Sequence, residues 1–150
     1  MRSVMAFLIA VSLLAACAPS PESPRGFRLP DGDAVAGEAT FVRLQCHGCH
    51  QIEGVELPDF LGTTPVPVKV ALGGEVTRVK TYGELVTSII NPSHRLIPGY
   101  PKEQISQDGA SLMTVYNDWM TVQQLIDLVA FLQSHYAVVP PDYEYYRFAY

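Results

Sequence analysis

The sequence predicts a mainly α domain with one β-hairpin insertion, on three patterns. Thr81 with Glu84, and Thr121 with Gln124, each form a threonine-led capping box that opens a run of apolar residues at helical spacing. A third amphipathic stretch, residues 34 to 45, runs into the segment LQCHGCHQI, residues 44 to 52. Between these, VPVKVALGGEVTRVK, residues 66 to 80, alternates β-branched residues on either side of a glycine pair, as two short strands and a turn would. A length of 150 residues suits one domain around one core.

Taken from the start, Arg2 and the apolar run of residues 5 to 16 form an export signal, too short and wrongly flanked to span a bilayer. The run closes on Leu14, Ala15, Ala16 and Cys17, which resembles the lipobox of bacterial lipoproteins. That resemblance implies a signal peptide over residues 1–16, with Cys17 as an acylated first mature residue that anchors the protein to a lipid membrane. Residues 17–32 are rich in Pro, Ser, Gly and charge, and read as an extended tether. Without the signal, nine Lys plus Arg face fifteen Asp plus Glu, a net charge of about −6. Such a surface argues against nucleic acid as a partner and for an encounter face that is apolar or meets a basic protein.

The folded domain is expected over residues 33–136. Asp31 or Asp33 caps its first helix, in which Val35, Ala39, Phe41, Val42 and Leu44 make the apolar face. Gly37 and Phe41, four apart, share one side, where a glycine admits a close neighbour and an aromatic fills the gap beside it. Pro58 and Gly62 break the chain. In residues 66 to 80, Val66, Val68, Val70 and Leu72 alternate before Gly73 and Gly74, with Val76 and Val79 after them, and Pro67 makes the first arm an edge strand. Leu85, Val86, Ile89 and Ile90 then line a helix that Pro92 stops, and INPSHRLIPGYPK is a proline-rich loop. The last helix carries a stripe of Val122, Leu125, Val129 and Leu132, widened by Ile126 and Phe131, and ends near His135 or Tyr136. Residues 137–150 form an extension in which Tyr143, Tyr145, Tyr146, Phe148 and Tyr150 could serve as a contact surface or pack back on the domain.

The chemistry centres on CHGCH. Two cysteines separated by two residues and closed by a histidine read, in an exported chain, as the covalent attachment site of a c-type haem; a redox-active disulfide between Cys46 and Cys49 is the competing reading. His50 is then the proximal iron ligand. Its other ring nitrogen needs an acceptor, expected near Pro58, and His47, inside the spacer, is expected to be exposed. For the sixth position Met113 and Met120 offer thioethers, and His94 and His135 offer imidazoles. Met113, on a polar and irregular segment ahead of the last helix, is the preferred ligand. Met120 directly precedes the cap Thr121 and is expected to close the core as a hydrophobic staple. His94 comes next as a ligand, although an exposed loop histidine without an iron role is its simpler reading.

Over residues 33 to 136 the chain resembles the class I, monohaem cytochromes c. The resemblance rests on Cys46, Cys49 and His50, on Gly37 and Phe41 in the first helix, on Phe131 in the last, and on a methionine before that helix. It implies a cytochrome c-like helical fold around one covalently bound haem c, with Met113 as distal ligand. Thr114 stands where the family often has proline, and residues 66 to 80 add to the minimal fold. An iron held by His50 and Met113 has no open position, so the expected function is electron transfer rather than enzymatic turnover. The protein is expected on the periplasmic side of a bacterial membrane, lipid-anchored, passing single electrons between respiratory or photosynthetic redox partners. The alternatives are a fixed haem subunit of a membrane electron-transfer complex, and a peroxidase or gas sensor with an open sixth site.

Overall fold

A computed structural model describes residues 26–62 and 68–140. The export signal, Cys17, most of the tether, the start of the glycine-centred stretch and residues 141–150 lie outside the described residues.

Four helices and three short two-stranded pairs make up this part of the chain. Helix α1 spans Ala34–Arg43, and Asp33 caps it by accepting from the Val35 and Ala36 amides at 2.8 and 3.2 Å. Helix α2, Tyr82–Ile90, and helix α4, Val122–Ser134, both carry the complete reciprocal capping box, at Thr81/Glu84 and Thr121/Gln124. Helix α3, Lys102–Ile105, is a single turn. Strands β1, His50–Ile52, and β2, Val70–Leu72, pair in parallel with His50 opposite Val70. Strands β3, Gly74–Val76, and β6, Tyr136–Val138, do likewise with Gly74 opposite Tyr136. Strands β4, Ser106–Gln107, and β5, Ala110–Ser111, form an antiparallel hairpin.

Among the described residues, the two arms of the hairpin expected within residues 66 to 80 do not pair with each other: β2 joins the haem-motif strand β1, and β3 joins β6. Gly73 alone separates them, and both glycines have φ of +78°. The pair docks on the end of α4 instead of turning the chain. The Gly74 amide donates to the His135 carbonyl at 2.9 Å, and a Cβ on Gly73 would stand 2.9 Å from the same oxygen. The hairpin that does form turns on Asp108 and Gly109, both at positive φ as a two-residue turn of the primed kind requires.

Helices α1 and α4 cross where Gly37 meets Asp127 and Phe131. A Cβ on Gly37 would collide with the Asp127 carbonyl oxygen and lie 2.6 Å from the Phe131 Cβ. One turn on, Phe41 and Phe131, 2% and 1% exposed, stack with ring centroids 5.7 Å apart. Asp127 is buried but satisfied, accepting from the Asp33 amide and the Gln123 side chain, both at 2.9 Å. Leu85, Val86, Ile89, Leu128, Val129, Leu132 and Ile52 complete the core, with Leu125 and Met120 packed against it. Val122 and Val35, expected on the apolar faces, are exposed instead: each lies in the first turn of its helix, before the chain reaches the crossing. Residues 27–32 lie against the domain rather than extending from it. The Tyr82 hydroxyl donates to the Phe27 carbonyl at 3.0 Å, and a Cβ on Gly32 would be 2.6 Å from the Ile126 carbonyl oxygen.

Candidate functional site

Helix α1 ends in a sharp break that sets the CHGCH segment in place. Gln45 adopts a left-handed conformation, φ 58°, which is uncommon for a residue with a Cβ. It turns the chain into a 3₁₀ turn, Cys46–Gly48, closed by the Gly48 and Cys49 amides donating to the Gln45 and Cys46 carbonyls. From the other side, the Tyr116 hydroxyl donates to the Leu44 carbonyl at 2.6 Å, tying the loop before α4 to the end of α1.

Cys46 is half-buried and packs against the core, whereas Cys49 is exposed, and no disulfide joins them. Burial pushes the Cys46 thiol up to about 11.

His50 opens β1. Its Nδ1 lies 3.3 Å from the Val70 carbonyl oxygen, the residue opposite it in the parallel pair. A carbonyl only accepts, so Nδ1 carries the proton and Nε2 keeps its lone pair. The acceptor is thus supplied by β2 and not by the chain near Pro58. Burial holds the imidazole below its ordinary pKa, partly offset by the Val70 bond, which favours the neutral form a metal requires.

His47 is buried, 6% exposed, contrary to its expected exposure. The reason lies outside the motif: Phe60 packs on the ring edge-to-face at 5.8 Å, and the Lys69 ammonium reaches over to the His47 carbonyl at 3.0 Å. Its Nδ1 has no hydrogen-bond partner among the described residues.

His50, Cys49 and Met113 border one cavity of about 680 Å³. Val68, Val70, Leu72, Leu85, Leu96, Ile97 and Leu112 give it apolar walls, and Arg78, Lys80 and Arg95 bring cations to it. Met113 owes its place to the short hairpin: the Ser111 amide donates to Ser93 Oγ at 3.0 Å, and the Met113 amide to Ser111 Oγ at 3.2 Å. The loop after α2 is held in turn by Tyr100, whose hydroxyl accepts from the Ala71 amide at 3.1 Å. The sequence signal for this arrangement is the Asp108–Gly109 dipeptide, which marks a hairpin inside a segment that otherwise reads as irregular.

Of the other candidate ligands, Met120 packs against the core away from this cavity. His135 stacks on Phe131 at 4.8 Å, with its Nδ1 2.8 Å from the Phe131 carbonyl, and caps the end of α4. His94 is exposed, but it does border the cavity.

This donor set fits a haem. It offers a half-buried imidazole with a tied tautomer in His50, a thioether, the two CxxC thiols ahead of that imidazole, an apolar box of ligand-site size, and cations suited to carboxylates. No helix among the described residues is long and apolar enough to cross a membrane. Residues 34–135 match the family model described as Cytochrome c. No curated protein and no solved structure matches the chain.

Proposed function

Because the chain belongs to the cytochrome c family and binds haem c covalently through its CxxCH motif, with Cys46 and Cys49 present, we propose that it is a lipid-anchored periplasmic monohaem carrier with His50 and Met113 as axial ligands. Haem-based electron transfer is the family's chemistry. The observation that carries the finer reading is that His50, with Nδ1 committed to the Val70 carbonyl, and Met113 border the same apolar cavity beside Cys49.

When bound, the haem supplies a metal that changes valence by one electron. The protein's residues do the rest. Val70 fixes the His50 tautomer and so leaves Nε2 available for ligation. Val68, Val70, Leu72 and Leu85 exclude water and keep the local dielectric low, one of the levers that set a potential. The 106–111 hairpin and Ser93 hold Met113 at the cavity wall, where its thioether raises the potential relative to a second imidazole. Lys80 and Arg95 would offer positive charge to the haem carboxylates at the cavity wall, where Arg78 is already paired with Glu84. The lipobox-like Cys17 and the acidic surface support a membrane-held protein whose partners are redox proteins.

Mature protein isolated from an exporting host tests this directly. Haem should stay with the polypeptide through acid–acetone extraction, and the ferric spectrum should be low-spin with the weak long-wavelength band of thioether ligation. Loss of haem on extraction would overturn the covalent assignment, and a high-spin ferric spectrum would favour an open-site peroxidase or sensor. Monomeric elution of the lipidated protein in mild detergent is expected for a carrier; elution only with a larger assembly would indicate a fixed subunit.

A further inference from the structure

His94 shares with His50 a ring nitrogen tied to a backbone carbonyl and a place on the cavity wall, although it is exposed here. Its Nδ1 sits 2.7 Å from the Asn91 carbonyl oxygen. As with His50, an acceptor that can only accept leaves the proton on Nδ1 and the lone pair on Nε2. Among the described residues, His50 and His94 are the two imidazoles that border the cavity, and each has Nδ1 tied to a backbone carbonyl.

The place of His94 in the fold adds a second argument. It ends the 3₁₀ turn Pro92–His94, and that turn is stitched to the methionine segment: Ser93 Oγ accepts from the Ser111 amide, and Ser111 Oγ accepts from the Met113 amide. His94 and Met113 therefore reach the cavity from two adjoining segments. What holds Met113 there is slight, a hairpin of two paired residues per strand with Gln107 and Ala110 exposed. Segments with so little burial open first. The turn carrying His94 has a firmer base, with Pro92 buried directly after α2.

We propose that His94 is a reserve sixth ligand, whose Nε2 takes the iron when Met113 releases it. The proposal rests on Met113 being the resident ligand, as read above. In the exchange the iron–sulfur bond breaks and an iron–Nε2 bond forms. No proton is lost, because the imidazole proton stays on Nδ1 against the Asn91 carbonyl, and no electron is gained or lost. Since a thioether raises the potential and imidazole does not, the exchange would move the protein to a lower-potential form.

The test compares covalently loaded wild-type protein with Met113→Ala and with Met113→Ala/His94→Ala, by ferric spectrum and midpoint potential. The expected result is that Met113→Ala loses the thioether band, stays low-spin and falls in potential, while the double variant becomes high-spin. Met113→Leu serves in both backgrounds if the alanine variants do not retain haem, since it keeps the bulk of the wall. A high-spin single variant would overturn the proposal while leaving the Met113 reading intact. A low-spin double variant would overturn it too, by showing that another group takes the position. If the thioether band survives in Met113→Ala, Met113 is not the ligand, and the proposal falls with the reading it rests on.

Discussion

Replacing Gly37 by alanine probes the contact that places the haem motif. The added Cβ would meet the Asp127 carbonyl oxygen below any real contact distance, with the Asp127 carbonyl carbon at 2.7 Å and the Phe131 Cβ at 2.6 Å. Two of the three obstacles are backbone, so no side chain can swing aside and α1 must move off α4 as a body. Overpacking of this kind costs ~1–3 kcal/mol. The Phe41–Phe131 stack, at 5.7 Å, opens with it and forfeits another ~0.5–1.5 kcal/mol. Alanine returns ~1 kcal/mol of helix propensity. The net is a destabilisation of about 2 kcal/mol, or a fall in Tm of roughly 9 °C for a domain of this size. Gly83→Ala in α2 is the matched control, because its nearest neighbour is Thr81 Oγ1 at 3.9 Å, and there the propensity gain of up to ~1 kcal/mol should appear as a small rise in Tm. Thermal melts of the loaded protein followed by far-UV circular dichroism would read both. An unchanged or raised Tm for Gly37→Ala would refute the crossing geometry.

Met113→Ala should abolish the thioether band and lower the midpoint potential with haem still attached; a retained band counts against the ligand assignment. Met120→Ala should leave the spectrum unchanged and cost ~2–5 kcal/mol in a denaturant melt, since its side chain packs on the core. Glu84 is held below the usual carboxylate range first by its hydrogen bond from Arg78, at 2.6 Å, and then by the Thr81 amide. A depressed carboxylate contributes stability above its unfolded pKa and loses it as pH falls through the folded one. Glu84→Gln should therefore melt below wild type at neutral pH and converge with it on acidification below 4.5; a gap that widens in acid would contradict the pairing. His47→Leu should keep haem attachment and regain ~1 kcal/mol, because a buried nitrogen without a partner among the described residues leaves the interior; a clear loss of stability by denaturant melt would show that the imidazole has a partner.

What was legible in the sequence is what local bonds decide. The three longer helices and their caps at Asp33, Thr81 and Thr121 follow from side chains bonding amides two or three residues away. Gly37 and Phe41 could be placed on one side of the first helix by their spacing, and the resemblance to the cytochromes c implied Phe131 as their partner on the last. The partners of short strands were not legible, since pairing is chosen across the chain and a three-residue strand carries little pattern. Val70 accepts from His50 twenty positions away, and Lys69 reaches His47 across twenty-two. His47 looked exposed because nothing near it in sequence covers it, whereas Phe60 covers it in space. The hairpin behind Met113 was within reach through Asp108 and Gly109, but the polar residues around them hid it.

The bond from the Asp33 amide to Asp127 closes a span of ninety-four residues, and it lies at the same junction as the buried phenylalanines. A chain emerging amino end first would offer Cys46 and Cys49 to the outside well before the last helix had arrived. Both thiols would be accessible for haem attachment through that delay, and the core against which Cys46 packs would be completed last.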